Sequence, residues 1–327
     1  MLPLLRCLID TGRSMPASCV VYTTDDRYLF PTLVSAIQAR YHTSPHVADV
    51  IIYCVDLSSR AERVFAPICA KERIGLISVG SEVIERQNAM LARFFLSRFV
   101  SSHYDQYLYL DGDVHIHDTL DPLLEADVPK GKFLAANDPM TFLIPDSGAQ
   151  SRDLSNHLDG LGLSRQQALC YFNSGVLRIH SEGWERIGHD AWEHCRRIGK
   201  PSRFPDQDAL NVVAADKRLP MSLAWNFPIF MRNSRVESTI KPKITHFMSN
   251  PKPWYGSFPP WTVVSHEPYS ETLKKYPALG PFNTVMPLRR RAVYHLQQRG
   301  KKVFETLTWG FSAKRARILS YEASCPL

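Results

Sequence analysis

The sequence predicts an α/β fold in which helices flank a mixed, mainly parallel β-sheet. Two observations lead to this prediction. Short runs of branched and aromatic residues alternate with longer stretches that carry apolar residues at helical spacing, an order typical of βαβ units. In addition, Tyr107-Leu108-Tyr109-Leu110 is apolar at consecutive positions, as expected for a strand that is buried on both faces of a sheet.

The composition is typical of a globular protein. Of 327 residues, 44% are hydrophobic and 22% are charged. No run approaches the ~20 apolar residues that a transmembrane helix needs. Residues 1–8 are too short and too interrupted for a signal peptide, so we expect a cytoplasmic protein. The seven cysteines include no CxxC pair, which favours reduced thiols over a disulfide framework or a zinc site.

Four strands and three helices are predicted in the first half of the chain, after an N-terminal arm over residues 1–17. The strands are expected at residues 18–23, 47–55, 74–79 and 107–110, and the helices at residues 28–41, 58–71 and 85–100. Ser58 is a favourable N-cap for the second helix. This alternation favours parallel strands joined through helices.

The second half of the chain mixes shorter strands with helices and polar segments. Strands are expected at residues 133–136, 171–177 and 243–247, and helices at residues 182–198 and 206–215. Residues 146–162 are polar and are predicted to form a loop or lid, whereas the chain from residue 270 onward is helical and basic. We therefore predict one main domain over residues 18–265 and a basic helical C-terminal region over residues 266–327.

Two carboxylates follow the buried strand directly, in the sequence Asp111-Gly112-Asp113. In an open α/β sheet, ligands bind beyond the carboxyl ends of the strands. Glycine allows a sharp turn and a close approach to a ligand. Two hard oxygen donors suit Mn²⁺ or Mg²⁺, which fill their remaining positions with substrate phosphates. The pattern indicates a metal–diphosphate site, although Asp-Gly-Asp is also ordinary turn chemistry.

Four other polar motifs lie either at a predicted strand end or between apolar runs. They are Thr-Thr-Asp-Asp-Arg at residues 23–27, Asn-Ser-Gly at 173–175, Pro-Asp-Gln-Asp at 205–208, and Thr-His-Phe at 245–247, which is followed by Lys252. A histidine can supply a third metal ligand and a lysine can pair with a phosphate. The chain has neither a P-loop nor a GxGxxG motif, which argues against both of those nucleotide-binding folds.

Together these motifs resemble the retaining glycosyltransferases of family 8, which have a GT-A nucleotide-diphospho-sugar transferase fold. The resemblance rests on TTDD at residues 23–26, YLYLDGD at 107–113, FNSGVL at 172–177, PDQDALN at 205–211 and HFMSNPKPW at 246–254. These occur in the family's order and spacing. The resemblance implies metal-dependent transfer of a hexose, galactose or glucose, from a UDP-sugar to a saccharide acceptor, with retention of configuration.

The resemblance also implies metal and nucleotide roles by position. Asp111, Asp113 and His246 match the protein ligands of Mn²⁺ (or Mg²⁺). The positions that match nucleotide-sugar-binding residues are Thr23, Asp25, Arg27, Arg93, Asp111, Gly112, Asn173, Gly175 and Lys252. Of these, Thr23, Asp25 and Arg27 match the uridine contacts and Lys252 matches the diphosphate contact. Two positions depart from the family pattern: Ser249 stands where glycine is frequent, and Arg27 stands where small polar residues are common. Both departures bear on donor affinity more than on the fold.

The catalytic positions implied by the resemblance are Asp138, Asp206 and Gln207, which match residues around the donor sugar. Gln207 is a poor nucleophile. We therefore expect a front-face, oxocarbenium-like displacement in which the leaving phosphate helps to deprotonate the acceptor. A sugar trapped covalently on Asp206 or Asp208 would contradict this expectation.

Several of these residues have simpler explanations. Asn173 could cap a turn, and Asp206 could complement the N-terminus of a helix. Arg93 could pair with a carboxylate on a helix surface. His246 could be an interior histidine, and Asn137 could take the place of Asp138.

The C-terminal region allows two interpretations. From residue 288 to residue 327 the basic residues are Arg289, Arg290, Arg291, Arg299, Lys301, Lys302, Lys314, Arg315 and Arg317, against the acidic Glu305 and Glu322. Interspersed aromatic and aliphatic residues suit a helix that lies on an anionic membrane surface. The protein would then be peripheral on the inner face of the membrane, with a glycolipid acceptor such as a lipopolysaccharide core. Alternatively, the helix packs on the main domain and exposes a solvated basic face.

Other functional classes fit the sequence less well. A metal-dependent phosphohydrolase would use paired aspartates together with further ligands for a second metal. A catalytically weak sugar-nucleotide-binding protein would keep the fold and lose a metal ligand. The basic region alone would suit a nucleic acid, but no recognised binding module accompanies it, so we expect no nucleic-acid partner.

Overall fold

A seven-stranded mixed sheet forms the centre of the fold. The computed structural model describes residues 17–198 and 202–327, so the predicted arm over residues 1–17 lies outside the described residues apart from residue 17. The strands are β1 Ser18–Asp25, β2 Ala48–Val55, β3 Gly75–Val79, β4 Gln106–Leu110, β5 Val114–Ile116, β6 Phe133–Ala135, β7 Val176–His180, β8 Arg218–Pro220, β9 Phe227–Pro228 and β10 Ile244–His246.

The central sheet has the strand order β3-β2-β1-β4-β7-β6-β8. Strands β1 to β4 are mutually parallel where they pair, whereas β7 runs antiparallel to both of its neighbours, β4 and β6. Strand β8 returns to parallel pairing with β6. The predicted mixed, mainly parallel sheet is therefore confirmed.

Helices cover both faces of this sheet. They are α1 Leu29–Tyr41, α2 Ser59–Lys71, α3 Leu96–Phe99, α4 Asp121–Leu124, α5 Ala149–Gly160, α6 Arg165–Leu169, α7 Trp184–Ile198, α8 Pro205–Ala214, α9 Glu237–Ile240, α10 Glu267–Lys275, α11 Leu288–Gly310 and α12 Ala313–Ser324. The predicted serine cap is present, since Ser58 accepts a hydrogen bond from the backbone N–H of Ala61 at 3.1 Å.

Alternation along β1 explains why helices are needed on both faces. Val20 and Tyr22 belong to the apolar cluster on one face of the sheet, and Cys19 and Val21 to the cluster on the other. All four side chains are fully buried. Because successive side chains of a strand point to opposite faces, both faces must be covered by helices. Polar ligands can then bind only at the strand ends.

The second sheet brings distant parts of the chain next to the Asp-Gly-Asp turn. Strand β10 pairs antiparallel with β5 and parallel with β9, and His246 lies opposite Val114. Strand β5 starts directly after Asp113. The pairing therefore places a histidine 133 positions away in sequence beside the second aspartate.

The predicted helix over residues 85–100 is wrong as a continuous element. The segment contains a 3₁₀ helix, Ala89–Phe95, followed by the short α3. Glu85 and Arg86 have left-handed backbone angles, with φ of 56° and 57°, and the extended Asn88 caps the 3₁₀ helix through Met90 N–H. Leu91, Phe94, Phe95 and Leu96 are buried as expected, whereas Met90 is 43% exposed, and the backbone before residue 89 does not form a helix.

The predicted loop or lid over residues 146–162 is also wrong for most of its length, because residues 149–160 form α5. The helix buries Ser151, Leu154 and Leu158, which recur at helical spacing. The remaining positions are polar and face outward, so the narrow apolar stripe was too weak a signal in the sequence.

The C-terminal helices pack against the rest of the domain. Ile318 of α12 is fully buried, and Lys275 of α10 donates a hydrogen bond to Glu72 at 2.6 Å. Ser222 N–H donates to the carbonyl of the C-terminal Leu327. Across residues 17–198 and 202–327, none of the helices combines the length and apolar character needed to cross a bilayer.

Candidate active site

The two aspartates of the Asp-Gly-Asp turn leave the central sheet between β4 and β5. Asp111 N–H donates to the carbonyl of Gly175 at 2.8 Å, which ties the turn to the start of β7. A Cβ on Gly112 would lie 2.2 Å from Thr32 Oγ1, and a Cβ on Gly175 would lie 2.2 Å from the ring of His246. Both glycines therefore allow close packing that a larger residue would prevent.

Asp111, Asp113 and His246 form a three-residue cluster. One ligand atom from each lies within 4.8 Å of the others, and His246 Nε2 is 3.3 Å from Asp113 Oδ1 and 3.8 Å from Asp111 Oδ2. Two carboxylates and one imidazole are a donor set that suits Mn²⁺ or Mg²⁺. The side chains predicted as metal ligands are thus brought together.

A neighbouring amide orients His246. Asn226 Nδ2 donates to Asn173 Oδ1 at 2.9 Å, so Asn226 Oδ1 faces His246 Nδ1 at 3.0 Å. This arrangement requires the proton on Nδ1 and leaves the lone pair on Nε2, the nitrogen that faces the aspartates. A cation at the cluster would meet an imidazole that is already in the correct tautomer.

Arg93 is buried between two carboxylates. Its guanidinium donates to Asp111 Oδ1 at 2.8 Å and lies 3.0 Å from Asp206 Oδ2, and it also stacks over the ring of Tyr109. Burial opposes its charge, but Asp111 and Asp206 raise the pKa of Arg93 above its ordinary value. Burial, opposed by Arg93, raises the pKa of Asp111. The alternative of an exposed ion pair on a helix surface is therefore wrong for Arg93.

Lys252 lies against the second aspartate. Its Nζ is 2.5 Å from Asp113 Oδ2 and also donates to the carbonyl of Phe247. Burial opposes the ionisation of Asp113, yet Lys252 and His246 together hold the pKa of Asp113 well below its usual range. The carboxylate is therefore ionised and ready to bind a cation at neutral pH.

A second network surrounds Asp138. Its Oδ2 accepts hydrogen bonds from Asn173 Nδ2 at 3.1 Å and from Gln207 Nε2 at 3.0 Å, while Oδ1 caps the next 3₁₀ turn through Met140 N–H. Gln207 Oε1 in turn accepts from Asn173 Nδ2 at 2.9 Å. Burial raises the pKa of Asp138 despite these bonds. Three residues predicted around the donor sugar thus form one hydrogen-bonded unit.

The two acidic residues of α8, Asp206 and Asp208, face different surroundings. Asp206 lines the cleft, accepts a hydrogen bond from Ser174 Oγ and forms an ion pair with Arg93. Asp208 is 1% exposed, and its carboxylate accepts hydrogen bonds from the hydroxyls of Tyr171 and Ser202 and from the backbone N–H of Phe204. Only Asp206 of this pair therefore faces the open space of the site.

The predicted uridine contacts lie at the end of β1. Thr23 Oγ1 is 3.1 Å from the hydroxyl of Tyr109, and Asp25 Oδ1 accepts from the backbone N–H groups of Arg27 and Tyr28. Thr23 and Asp25 line the cleft, whereas the side chain of Arg27 is exposed and does not.

A cleft of about 720 Å³ joins these groups. The predicted residues on its wall are Thr23, Asp25, Arg93, Asp111, Gly112, Asp113, Asp138, Asn173, Gly175, Asp206, Gln207 and His246. Arg27 and Lys252 are the two predicted residues that are not part of this wall. Ser249, which departs from the family pattern, does line it.

Sequence reasoning missed several residues of the site. Tyr109 and Ser174 lay within the quoted motifs and could have been selected for their polar groups. Asn226 stands in no motif, so nothing in the sequence indicated that it orients His246. The wall also includes Lys301, Phe304, Glu305 and Trp309 from α11, which the sequence suggested only as part of a basic tail.

Two solved structures share this architecture. The galactosyltransferase LgtC, solved with donor and acceptor sugar analogues, has a TM-score of 0.59 at 20% identity, and the match covers 84% of this chain and 99% of LgtC. The bifunctional glycosyltransferase WbbM gives a TM-score of 0.64 at 16% identity, covering 84% and 52% of the two chains. At such identities the likeness concerns the fold alone, and it confirms the predicted GT-A fold.

Two relatives match in sequence. Lipopolysaccharide glucosyltransferase WaaO of Escherichia coli is 26% identical over 178 residues, which is 51% of this chain and 49% of WaaO. Galactinol synthase 1 of Ajuga reptans is 25% identical over 162 residues, which is 46% of this chain and 46% of the synthase. The chain thus spans about half the length of the curated relatives it matches.

The sequence pattern of Glycosyl transferase family 8 matches residues 19–257. This range is most of the chain, and it contains every site residue predicted from the five motifs. The resemblance drawn from those motifs is therefore confirmed: the chain belongs to glycosyl transferase family 8.

Proposed function

We propose that this protein is a metal-dependent retaining glycosyltransferase that moves a hexose, galactose or glucose, from a UDP-sugar to a saccharide acceptor. The observation that carries the proposal is the cluster of Asp111, Asp113 and His246 on the wall of a large cleft. Family membership supports the transfer of a sugar from a nucleotide donor. A lipopolysaccharide glucosyltransferase among the relatives supports a hexose and a lipid-linked acceptor.

The residues at the cluster fit Mn²⁺ or Mg²⁺. Asp111, Asp113 and His246 would hold the ion, and Asn226 keeps Nε2 of the histidine free for it. The bound ion supplies charge neutralisation at the diphosphate leaving group. The part of the chain that the structure describes holds one such cluster, which favours a transferase over a two-metal phosphohydrolase.

Positive side chains beside the cluster stabilise the same leaving group. Lys252 lies 2.5 Å from Asp113, so it is within reach of a phosphate that approaches the metal ligands. Arg93 lines the cleft and is fixed by Asp111 and Asp206. Such preorganised charges cost no reorganisation when negative charge develops on the diphosphate.

The Asp138, Asn173 and Gln207 network would hold the donor sugar. In the proposed step, the acceptor oxygen bonds to the anomeric carbon as the bond from that carbon to the diphosphate breaks. The acceptor proton passes to the leaving phosphate. Gln207 is uncharged, Asp208 faces away from the cleft and Asp206 is neutralised by Arg93, so these contacts favour front-face displacement over a covalent intermediate.

The outer face of α11 supports a membrane-associated acceptor. Val293, Leu296, Val303, Leu307 and Phe311 are more than half exposed and follow one side of the helix. Arg299 and Lys301 flank this stripe. An apolar stripe with basic flanks suits the interface of an anionic membrane. The proposed acceptor is therefore a glycolipid that is presented at such a surface.

Calorimetric titration of UDP tests the centre of this proposal. We expect UDP to bind the wild type with Mn²⁺, and to bind at least about tenfold more weakly with a chelator or after Asp113→Ala, because the ion held by this cluster would neutralise the diphosphate charge. The matched control is Asp118→Ala, which removes an exposed carboxylate five residues away. Tight binding without metal, or no binding at all, would contradict the proposed site.

A further inference from the structure

One wall of the cleft has no place in the donor chemistry described above. Four residues of α11 form it, namely Lys301, Phe304, Glu305 and Trp309, together with Phe230 from the 3₁₀ helix Ile229–Ser234. We refer to these five residues as the α11 wall. They lie in the same cleft as the aspartates, although α11 starts more than 170 positions after them.

The strand order places the α11 wall at the end of the cleft away from the proposed uridine site. Thr23 lies on β1, and Asp138 follows β6, three strands further along the sheet. At ~4.8 Å per strand, this separation is about 14 Å. The C-terminal helices approach from the β6 side, since Tyr321 of α12 accepts a hydrogen bond from Asn137 N–H. The α11 wall shares the cleft with the donor-sugar network, and the helix that follows α11 contacts the residue before Asp138.

The side chains of the α11 wall combine aromatic rings with a carboxylate oxygen that is paired with Lys301 but accepts no hydrogen bond. The rings of Phe230 and Trp309 pack edge to face at 5.6 Å, and the side chain of Phe304 is 61% exposed. Glu305 Oε2 accepts from Asn233 at 2.7 Å, whereas Oε1 lies 3.6 Å from Lys301 Nζ, beyond hydrogen-bond distance. Glu305 itself is 7% exposed.

This combination matches the surface of a sugar ring. A pyranose has apolar C–H faces that pack on aromatic rings, and a rim of hydroxyl groups that need hydrogen-bond acceptors. A buried carboxylate with one free oxygen accepts such hydroxyl protons strongly. A purely lipidic ligand would offer Glu305 Oε1 no hydrogen-bond donor, which is costly in a buried site.

We propose that the α11 wall is the acceptor subsite, in which Phe304 packs on a sugar ring and Glu305 Oε1 accepts a hydrogen bond from a ring hydroxyl. The proposal rests on the proposed function, since it supplies the second half of the same cleft. It assigns two tasks to one helix: the outer stripe faces a membrane, and the adjoining wall holds the saccharide.

Ligand-observed NMR with simple saccharides tests this subsite. The probes are methyl β-galactopyranoside, methyl α-glucopyranoside and lactose, each at millimolar concentration with UDP and Mg²⁺, which avoids paramagnetic broadening. We expect the wild type to bind at least one probe, and Phe304→Ala and Glu305→Gln each to weaken that binding by about fivefold to tenfold. The control is Leu307→Ala, on the exposed stripe of the same helix, which should bind as the wild type does.

The outcomes separate the acceptor subsite from the donor site. Phe304 is largely exposed, so its truncation leaves the fold intact, and UDP affinity measured on the same samples should not change. Absence of saccharide binding by the wild type, or equal binding by all variants, would contradict the acceptor subsite while leaving the donor site standing. Loss of UDP binding by the wild type itself would overturn the proposed function and the acceptor subsite with it.

Discussion

At the scale of single residues, the candidate site depends on groups that fix the metal ligands as much as on the ligands. Gly175 is one of these, because its missing side chain leaves room for His246 and for Asp111 Oδ2, which an added Cβ would meet at 2.2 and 2.7 Å. The sequence motif marked this glycine as a donor-binding position. Its contacts add a packing role, on which the geometry of the candidate metal ligands depends.

Gly175→Ala should therefore weaken metal-dependent UDP binding. We expect a loss of about tenfold, comparable to the removal of a group that orients a metal ligand. Calorimetry with Mn²⁺ measures it directly. Gly148→Ala is the matched control, because a Cβ there meets nothing within 4 Å. An unchanged affinity in Gly175→Ala would show that the cluster tolerates displacement of His246.

Glu305 should make stability depend on pH in a defined direction. Burial raises the pKa of Glu305, against the opposing effect of Lys301. A carboxyl whose folded pKa is raised contributes stability that is present below its unfolded pKa, near 4.5, and is lost as the pH rises through the folded pKa. The glutamine in Glu305→Gln stays neutral. The free energy of unfolding of this variant should therefore increase relative to that of the wild type as the pH rises above about 4.5.

Urea unfolding of both proteins at pH 4 and pH 7 measures this difference. Glu322→Gln is a useful comparison, since Glu322 accepts hydrogen bonds from Ser222 and from the backbone N–H of Leu223. If Glu305→Gln instead lost stability relative to the wild type between pH 4 and pH 7, the predicted direction would be wrong.

At the scale of secondary-structure elements, α12 supports the donor-sugar network. The hydroxyl of Tyr321 accepts from Asn137 N–H at 3.0 Å and donates to the carbonyl of Met221 at 2.7 Å, and Arg218 donates to it at 2.8 Å. Asn137 immediately precedes Asp138. The helix that the sequence placed in a separate C-terminal region thus holds the backbone of the site.

Tyr321→Phe should lower the free energy of unfolding by about 1–3 kcal/mol, because it leaves partly buried hydrogen-bonding groups without their partner. Urea unfolding measures the change. Tyr41→Phe provides the control, since Tyr41 is 84% exposed and its hydroxyl is free to bond with water. Equal stability of Tyr321→Phe and the wild type would mean that water replaces the lost hydroxyl.

At the scale of the whole molecule, the net charge of +7 and the exposed apolar stripe of α11 would both favour binding to an anionic membrane. In the proposed membrane association, attraction to an anionic surface would bring the protein close, and the apolar stripe would then insert. The charge-dependent part should weaken with salt, because mobile ions screen it over about 10 Å at 0.1 M.

Sedimentation with phosphatidylglycerol vesicles tests this membrane contact. We expect the wild type to co-sediment at low salt, and the triple variant Val293→Ser, Leu296→Ser and Leu307→Ser to remain largely in the supernatant. Val263→Ser with Val264→Ser is the control, since these exposed apolar residues lie outside α11. Equal sedimentation of the triple variant and the wild type would argue against insertion of the stripe.

Local sequence patterns were sufficient for strands β1 to β4, for helices α1 and α2, and for the carboxylate pair that follows β4. Strand alternation, serine capping and a carboxylate pair at a strand end each depend on residues that are near one another in sequence. The same logic failed at residues 85–100, where Glu85 and Arg86 adopt left-handed angles that apolar spacing does not reveal. It failed again at α5, whose apolar stripe is narrow.

The sequence by itself determined the fold class, the family and the ten cleft residues that short motifs mark. Only the tertiary structure decided that Asn226 orients His246, that Lys252 pairs with Asp113, and that α11 closes the cleft. These contacts join residues that are 20 to roughly 190 positions apart, and no local spacing specifies which of them meet. They follow from how the helices pack over the sheet, because packing selects partners by shape and burial across the whole chain.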